Sequence, residues 1–219
     1  MSQYSKVIQC LSRTLKPTSE AQEAAAAVAI LLKTTDQGLK ILLVKRTEKL
    51  SGPWSGQMAF PGGKRDPKDR DIRQTVVRET LEEISINLAH DCRFSGILKN
   101  MRSTVRPNLL VAPFVILLEH KPTIMLNEEL ERYTWIFLNK LQECEGTVKF
   151  PFGEVPAYLV EGNAVWGLTY RILKNLGHII RVIIQTLEQP FNQSNNHKPT
   201  TLNVVKNEQN LIMNGSKVY

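Results

Sequence analysis

The order of apolar and polar residues along the chain predicts strands in some segments and helices in others. Two apolar runs, Ala25–Lys33 and Leu39–Lys45, are separated by turn-forming residues and predict a β-hairpin. Further strands are predicted at residues 94–98, 109–118 and 133–137, and the last ends in a short helical piece. A stretch rich in Gly and Pro, residues 51–71, separates the hairpin from the segments that follow it.

Helical spacing of apolar residues predicts three helices, the first near the start of the chain and the others at residues 72–86 and 163–187. In the first one, the residues at helical spacing are Tyr4, Val7, Ile8, Leu11 and Leu15. The first 19 residues contain no acidic residue, a faint sign of an organellar transit peptide. Because this segment has few cations, we interpret it as the first helix of the fold.

In the middle helix, charged and apolar residues are predicted to lie on opposite faces. At about 100° per residue, Glu79, Glu82 and Glu83 fall on one narrow face. The opposite face carries apolar residues, namely Val77, Leu81, Ile84 and Leu88. We therefore expect this helix to bury the apolar face and to direct three carboxylates away from it.

The composition is that of a globular protein, with 219 residues, 42% of them hydrophobic and 22% charged. We expect one domain over residues 1–188. Residues 189–219 are rich in Asn and Lys and poor in large apolar residues, so we expect a disordered C-terminal tail. The longest apolar run, Ala24–Leu32, is too short to cross a bilayer, and no membrane span is predicted.

The net charge and the cysteine content indicate which ligands and which cellular compartment suit the protein. The net charge of +7 suits anionic ligands, which include nucleic acids, polyphosphates and nucleotides, although a basic surface without a special partner fits it as well. The three cysteines, Cys10, Cys92 and Cys144, are widely separated and odd in number. They suggest neither a disulfide framework nor a zinc site, and they favour a reducing compartment such as the cytoplasm.

The three clustered glutamates indicate a bound cation, because like charges on neighbouring turns repel one another. Mg²⁺ prefers carboxylate and water oxygens together with the phosphate oxygens of a substrate, and one glutamate could instead act as a general base. The alternative is a solvated acidic helix face, the commoner fate of a Glu-Glu pair. Upstream, Gly62 and Gly63 allow a close approach of the backbone to a phosphate or a tight turn.

Arg78 precedes the first of these glutamates and predicts an ion pair that anchors the preceding loop. The acidic partners available to it in that loop are Asp66, Asp69 and Asp71.

Taken together, these residues resemble the Nudix box: a Gly, an acidic loop, then Arg-Glu, an apolar residue and Glu-Glu. Positions of the box are filled by Gly63, Arg78, Glu79, Leu81, Glu82, Glu83 and Ile86, with Thr80 in an apolar slot. The segments 42–46, 55–64 and 165–169 are similar to the coenzyme A diphosphatase branch of that family. The resemblance covers approximately residues 25–180, and the box spans about residues 63–86.

The resemblance implies an α/β fold, an α+β sandwich with a mixed β-sheet between helices and a loop-helix-loop box. It implies Mg²⁺ or Mn²⁺ held by Glu79 and Glu83, with Glu82 completing the cluster or acting through water. It places Glu129 where the family often has a further ligand or base, although a solvated turn is the alternative. Substrate phosphates are expected at Gly62, Gly63, Lys64 and Arg46, and catalytic roles are expected for Glu82, Glu79, Arg78 and Glu129.

The implied reaction is hydrolysis of the diphosphate in coenzyme A or acyl-coenzyme A to 3′,5′-ADP and (acyl-)4′-phosphopantetheine. One alternative is a diphosphatase for ADP-ribose, NADH or nucleoside triphosphates, and another is an inactive protein that binds nucleotides or nucleic acid. The predicted partner is a small nucleotide-derived diphosphate rather than nucleic acid or a membrane, and a homodimer is one possible assembly.

Two departures from the pattern concern residues near the box. Ser85 stands where the box has Gly, so either the helix continues or its end is mildly strained. Residues 51–53 are Ser-Gly-Pro, where the coenzyme A branch has a second Arg. The second departure bears on the substrate more than on the reaction.

Overall fold

The computed structural model describes residues 3–48, 55–90, 92–151 and 153–189. The α-helices within them are α1 (Gln3–Thr14), α2 (Ile72–Ile84) and α3 (Gly167–Glu188). The strands are β1 (Ala26–Thr35), β2 (Gly38–Arg46), β3 (Met58–Ala59), β4 (Gly62–Lys64), β5 (Cys92–Ile97), β6 (Met101–Arg102), β7 (Leu110–Leu118), β8 (Leu130–Phe137), β9 (Glu145–Phe150), β10 (Gly153–Val160) and β11 (Asn163–Trp166). The predicted tail, apart from Gln189, and residues 51–53 lie outside the described ranges.

The main sheet is mixed and has eight strands within the described ranges. Five of them follow the order β3-β2-β1-β7-β5, while β4 pairs with β1, β6 with β7 and β8 with β2. β1 and β7 run parallel from the pair Ala26–Val111 to the pair Leu32–Leu117. Both strands are nearly continuous apolar runs because helices and loops cover both faces of the sheet. The predicted hairpin of β1 and β2 is confirmed, with its turn at residues 36–37.

Side chains of β1 alternate between two hydrophobic clusters, one on each face of the sheet. Ile30 and Leu32 point into the cluster that contains α1 and α3. Ala29 and Leu31 point into the cluster that contains α2. The predicted α/β sandwich, a mixed sheet between helices, is therefore confirmed. No helix in the described ranges has the length and apolar character to cross a bilayer.

The first helix belongs to the fold, as we interpreted it from the sequence. α1 buries Val7, Ile8 and Leu11 in the same cluster as the apolar face of α3. The 3-10 turn Leu138–Cys144 corresponds to the short helical piece predicted after the last strand.

Strand β1 exchanges its neighbour halfway along its length, and this exchange positions the candidate site. Near the hairpin, residues 32–35 pair with β2. At the other end, residues 26–28 pair with β4, which consists of Gly62, Gly63 and Lys64. Gly62 and the box residue Gly63 are thus part of a strand of the sheet.

The predicted helix over residues 163–187 begins too early. Residues 163–166 form β11, the edge of a separate three-stranded sheet with the order β11-β10-β9, and α3 starts at Gly167. Gly167 has a φ of 62°, a left-handed conformation that turns the chain from strand to helix. Strands β9 and β10 were not predicted.

The predicted apolar face of α2 is also wrong in part. Leu81 is 46% exposed, and the helix ends at Ile84, before Leu88. The buried residues of the helix are instead Ile72, Thr75, Val76, Thr80, Glu83 and Ile84. One of the three carboxylates therefore lies on the buried face of α2, and the charged and buried faces overlap.

Candidate active site

Helix α2 is fixed at both ends by local contacts. At its start, the carboxylate of Asp71 accepts a hydrogen bond of 2.7 Å from the backbone N–H of Gln74, an N-cap. At its end, Ser85 adopts a left-handed conformation with a φ of 60°, and its N–H donates to the carbonyl of Leu81. Of the two alternatives for Ser85, the strained helix end is the one observed.

The loop before α2 is tied to the helix by an ion pair between Arg78 and Asp69. Nε and Nη2 of Arg78 lie 3.1 and 3.0 Å from the two carboxylate oxygens of Asp69, a bidentate arrangement. Asp69 also accepts hydrogen bonds from the Thr75 hydroxyl and from the N–H of Asp66. The Arg78 guanidinium and these donors lower the pKa of the Asp69 carboxyl to about 2. The predicted anchor is confirmed, with Asp69 as the partner.

Arg78 has a second role on the carboxylate side of the helix. Its Nη1 lies 3.0 Å from Oε1 of Glu79 and 3.1 Å from Oε2 of Glu82, and its Nη2 donates to the carbonyl of Lys64. One guanidinium therefore joins the box loop, strand β4 and two of the three glutamates. This arrangement keeps Glu82 turned towards Arg78, with its side chain 55% exposed.

Glu83 is almost fully buried between the helix and the sheet. Its Oε2 accepts a hydrogen bond of 2.8 Å from the N–H of Gly62, and its Oε1 lies 3.4 Å from Nη1 of Arg46. Burial outweighs both contacts and raises the pKa of Glu83 to about 7. Gly62 has a φ of 140°, and a Cβ there would overlap the backbone of Ala27.

Glu79 lies beside Gly63 on the next turn of the same helix. A Cβ at position 63 would overlap the carboxylate of Glu79, so the absence of a side chain makes room for this group. Burial raises the pKa of Glu79, although the pairing with Arg78 opposes this effect. Each glycine of β4 thus contacts one glutamate of α2.

Glu129 reaches the same region from the loop before β8. The N–H groups of Met125 and Asn127 donate to the carbonyls of Ile84 and Glu83, so the loop satisfies the end of α2. The side chain of Asn127 then accepts from the N–H of Glu129. Oε2 of Glu129 lies 2.7 Å from Nη2 of Arg46, and this guanidinium bridges Glu83 and Glu129.

These groups surround a cavity of about 400 Å³. Seven of the residues singled out in the sequence line it: Arg46, Gly62, Gly63, Lys64, Glu79, Glu83 and Glu129. Arg78 and Glu82 do not line it, and the three glutamates of α2 therefore do not converge on one point. The cations of the cavity lining are Arg46 and Lys64, whereas Lys45, Lys99, Arg102 and Arg106 do not line it.

Residues from other parts of the chain also line the cavity and were not assigned to it from the sequence. They include the loop residues Ser103, Thr104 and Val105 and the residues around the start of α3, Trp166, Gly167, Leu168 and Thr169. The segment 165–169 carried a signal, since it is part of the resemblance to the coenzyme A branch. The loop at 103–105 carried none, because nothing in its composition distinguishes it from other loops.

The donor atoms of the cavity fit a hard divalent cation in their chemistry. Glu79 and Glu83 present carboxylate oxygens to one space, and carboxylates are the preferred protein ligands of Mg²⁺. Within the described ranges, no set of three or more His, Cys, Asp or Glu side chains is arranged to hold an ion. The arginines account for this geometry, because Arg46 and Arg78 contact the carboxylates themselves.

A family model described as the NUDIX domain matches residues 23–154. The peroxisomal coenzyme A diphosphatase ndx-8 of Caenorhabditis elegans is 36% identical over 130 residues, which cover 58% of this chain and 54% of that protein. The mitochondrial coenzyme A diphosphatase NUDT8 of Mus musculus is 29% identical over 170 residues, which cover 74% of this chain and 80% of that protein.

The chain spans about half the length of the worm relative. Among solved structures, a C. elegans Ap4A hydrolase binary complex aligns with a TM-score of 0.47 at 17% identity, covering 74% of this chain and 97% of that one. The family match therefore rests on the domain model and on the sequence relatives.

Proposed function

The chain belongs to the Nudix family, and from this membership we propose that it is a metal-dependent diphosphatase for coenzyme A or acyl-coenzyme A. The reaction adds water across the diphosphate and releases 3′,5′-ADP and (acyl-)4′-phosphopantetheine. Support for the substrate comes from the two relatives whose names contain coenzyme A diphosphatase and from the segment 55–64, which resembles that branch.

The observation that carries the proposal is an excess of carboxylates over guanidinium groups in the cavity wall and the adjoining box. Two guanidinium groups serve five carboxylates: Arg46 contacts Glu83 and Glu129, and Arg78 contacts Asp69, Glu79 and Glu82. Burial and mutual repulsion raise the pKa of Glu79 and of Glu83. Because the carboxylates outnumber the cationic groups that contact them, the site favours the binding of a divalent cation.

Mg²⁺ or Mn²⁺, held by Glu79 and Glu83, would polarise the phosphate oxygens and lower the pKa of a bound water. Glu82 would complete the cluster through water, since its side chain points to Arg78. Glu129 faces the cavity from the opposite loop and is our candidate for accepting the proton of the attacking water. Lys64 and Arg46 would neutralise charge on the substrate phosphates.

The backbone of β4 determines the positions of the glutamates in this proposal. The N–H of Gly62 holds Oε2 of Glu83, and the bare backbone of Gly63 makes room for Glu79. Arg78 holds Glu79 from the other side while it anchors the loop through Asp69. The catalytic carboxylates would thus be oriented before substrate binds, which reduces the cost of reaching the transition state.

A product-resolved assay tests the proposed function. The purified full chain is incubated with Mg²⁺ or Mn²⁺ and with coenzyme A, octanoyl-coenzyme A, ADP-ribose, NADH or ATP, and products are separated by chromatography. We expect 3′,5′-ADP and the phosphopantetheine product, with the highest kcat/KM for a coenzyme A compound. Cleavage of ADP-ribose, NADH or ATP in preference to both coenzyme A compounds would overturn the substrate assignment. Full activity in Glu83→Gln would overturn the assigned metal site.

The cytoplasm is our proposed compartment, supported by three cysteines that suggest no disulfide framework. The names of two relatives include the words peroxisomal and mitochondrial, so an organelle is the alternative. Fractionation of cells that express the untagged chain decides between them. A homodimer stays a prediction, which light scattering of the purified chain would test.

A further inference from the structure

The small sheet of β9, β10 and β11 carries apolar side chains on both of its faces. One face carries Tyr158, Val160 and Val165, which are buried in the core with α3. The opposite face carries Val148 and Val155, which pair directly across the two strands. These two valines are only partly buried. When one face of an antiparallel sheet packs on the core, the other face usually carries polar residues, so apolar side chains there are unusual.

The second face of this sheet lines a groove of about 1150 Å³. The groove shares part of its wall with the cavity that contains the carboxylates. Residues common to both are Gln57, Thr104, Val105, Trp166 and Gly167. A molecule bound at the carboxylates can therefore continue past Trp166 into the groove without leaving the surface.

The lining of the groove is mainly apolar, with polar groups between the apolar ones. Phe150 packs on Trp166 with their ring centroids 4.6 Å apart, next to Val148 and Val155. Ser55 and Gln57 add polar groups on the other wall. This combination suits a flexible chain that alternates methylene segments with amides.

The charged residues of the groove do not favour a phosphorylated group. Lys45 is paired with Glu48 and Glu131, at 3.5 and 3.2 Å. The Arg171 guanidinium donates to the carbonyl of Arg102. Because Glu48 itself lines the groove, a phosphate there would meet a carboxylate as well as the two cations.

We propose that this groove binds the uncharged, partly apolar arm of the substrate, the acyl-pantetheine arm, while the diphosphate lies at the carboxylates. This inference rests on the proposed function and assigns its arm-binding subsite to Val148, Phe150, Val155 and Trp166. It assigns the recognition of the arm to a sheet whose second and third strands lie almost entirely beyond the matched family domain, residues 23–154.

The test compares Val148→Asp with Leu159→Asp. Both variants place a carboxylate on the same face of the same sheet, but Leu159 is 50% exposed and does not line the groove. For octanoyl-coenzyme A, we expect Val148→Asp to raise KM about tenfold or more and to change kcat by less than about twofold. Leu159→Asp should leave both constants within about twofold of wild type.

The wild-type enzyme provides an independent measurement, because an apolar groove should lower KM as the acyl chain lengthens from none to eight carbons. If Val148→Asp does not fold, the shape-conserving Val148→Thr replaces it, and we expect a KM about threefold above wild type. A wild-type KM in Val148→Asp or Val148→Thr, or a KM independent of chain length, overturns the groove assignment and leaves the proposed function standing. Failure of the wild type to cleave either coenzyme A compound overturns both.

Discussion

The carboxylate of Glu79 lies against the backbone of Gly63, in the space that a side chain at position 63 would occupy. This contact joins α2 to β4 at the wall of the cavity. The glycine of the box is therefore required here for a steric reason that involves a functional side chain, in addition to any approach of a phosphate.

Gly63→Ala should displace the Glu79 carboxylate and reduce kcat about 100-fold, because a shift of about 1 Å in a catalytic group has an effect of this size. The measurement is steady-state hydrolysis of coenzyme A together with circular dichroism. Gly177→Ala is the matched control, since a Cβ there meets no atom within 4 Å. Equal kcat values for Gly63→Ala and wild type would show that the position of Glu79 is not important.

Asp69→Asn should lower the free energy of unfolding by about 2 kcal/mol, because Arg78 loses the charge of its buried partner while remaining partly solvated. Urea denaturation at pH 7 measures the difference. Asp36→Asn, in the exposed turn of the hairpin, should change it by less than about 0.5 kcal/mol. Similar losses in both variants would contradict the assigned anchor.

The stabilisation from Asp69 has a defined pH range. Its pKa is lower in the folded chain, about 2, than the usual value of 3.8, so the contribution is complete above the usual value. It is lost as the pH falls through about 2. The difference in stability between Asp69→Asn and wild type should therefore shrink between pH 4 and pH 2.

In the metal-free protein, the pH dependence of stability that Glu83 causes should be opposite to that caused by Asp69. Its pKa is raised from 4.5 to about 7, so stability is highest below 4.5 and falls as the pH rises through 7. In EDTA, the free energy of unfolding of Glu83→Gln relative to that of wild type should increase by about 2 to 3 kcal/mol from pH 5 to pH 8. A difference in unfolding free energy between the two proteins that does not change with pH across this range would contradict the burial of a charged Glu83.

Ser85→Gly should increase the free energy of unfolding by about 0.5 to 1 kcal/mol, because glycine adopts the left-handed helix end without strain. Ser85→Ala is the control, since alanine keeps the Cβ and should not stabilise the chain. Thermal unfolding in EDTA measures both. A stabilisation by Ala equal to that by Gly would mean that backbone strain is not the cause.

The local chemistry of the box could be predicted from the sequence. The pairing of Arg78 with an acid of the preceding loop followed from their positions on and before one helix. For Gly62 and Gly63, the sequence predicted a close approach of a phosphate or a tight turn, and the contacts with the carboxylates of Glu83 and Glu79 were not predicted.

The buried face of α2 could not be predicted because Glu83 behaves as a core residue there. Periodicity assigns glutamate to the solvent side, and Leu81 to the core. In the structure, the N–H of Gly62 and the guanidinium of Arg46 satisfy the buried carboxylate, and both belong to strands distant in sequence. Leu81 is left exposed as a consequence.

The second sheet was missed because its turn lacks a usual hairpin signal. Glu161 and Gly162 both have positive φ, 47° and 74°, and Asn-Gly or Asp-Gly is the common pair for such a turn. Without that signal, the helical periodicity of α3 extended upstream over β11. In β9, the apolar residues that face the groove alternate with exposed polar and charged residues. The apolar face of this strand was therefore not recognised from the sequence.

Binding of Mn²⁺ tests the central claim most directly. Calorimetric titration of wild type should show saturable binding, and Glu79→Gln combined with Glu83→Gln should weaken it at least about tenfold. Glu131→Gln, an exposed acid of β8 outside the cavity lining, should bind as wild type does. Mn²⁺ binding that is unchanged in the double variant, or absent from wild type, would contradict a metal site at these two carboxylates.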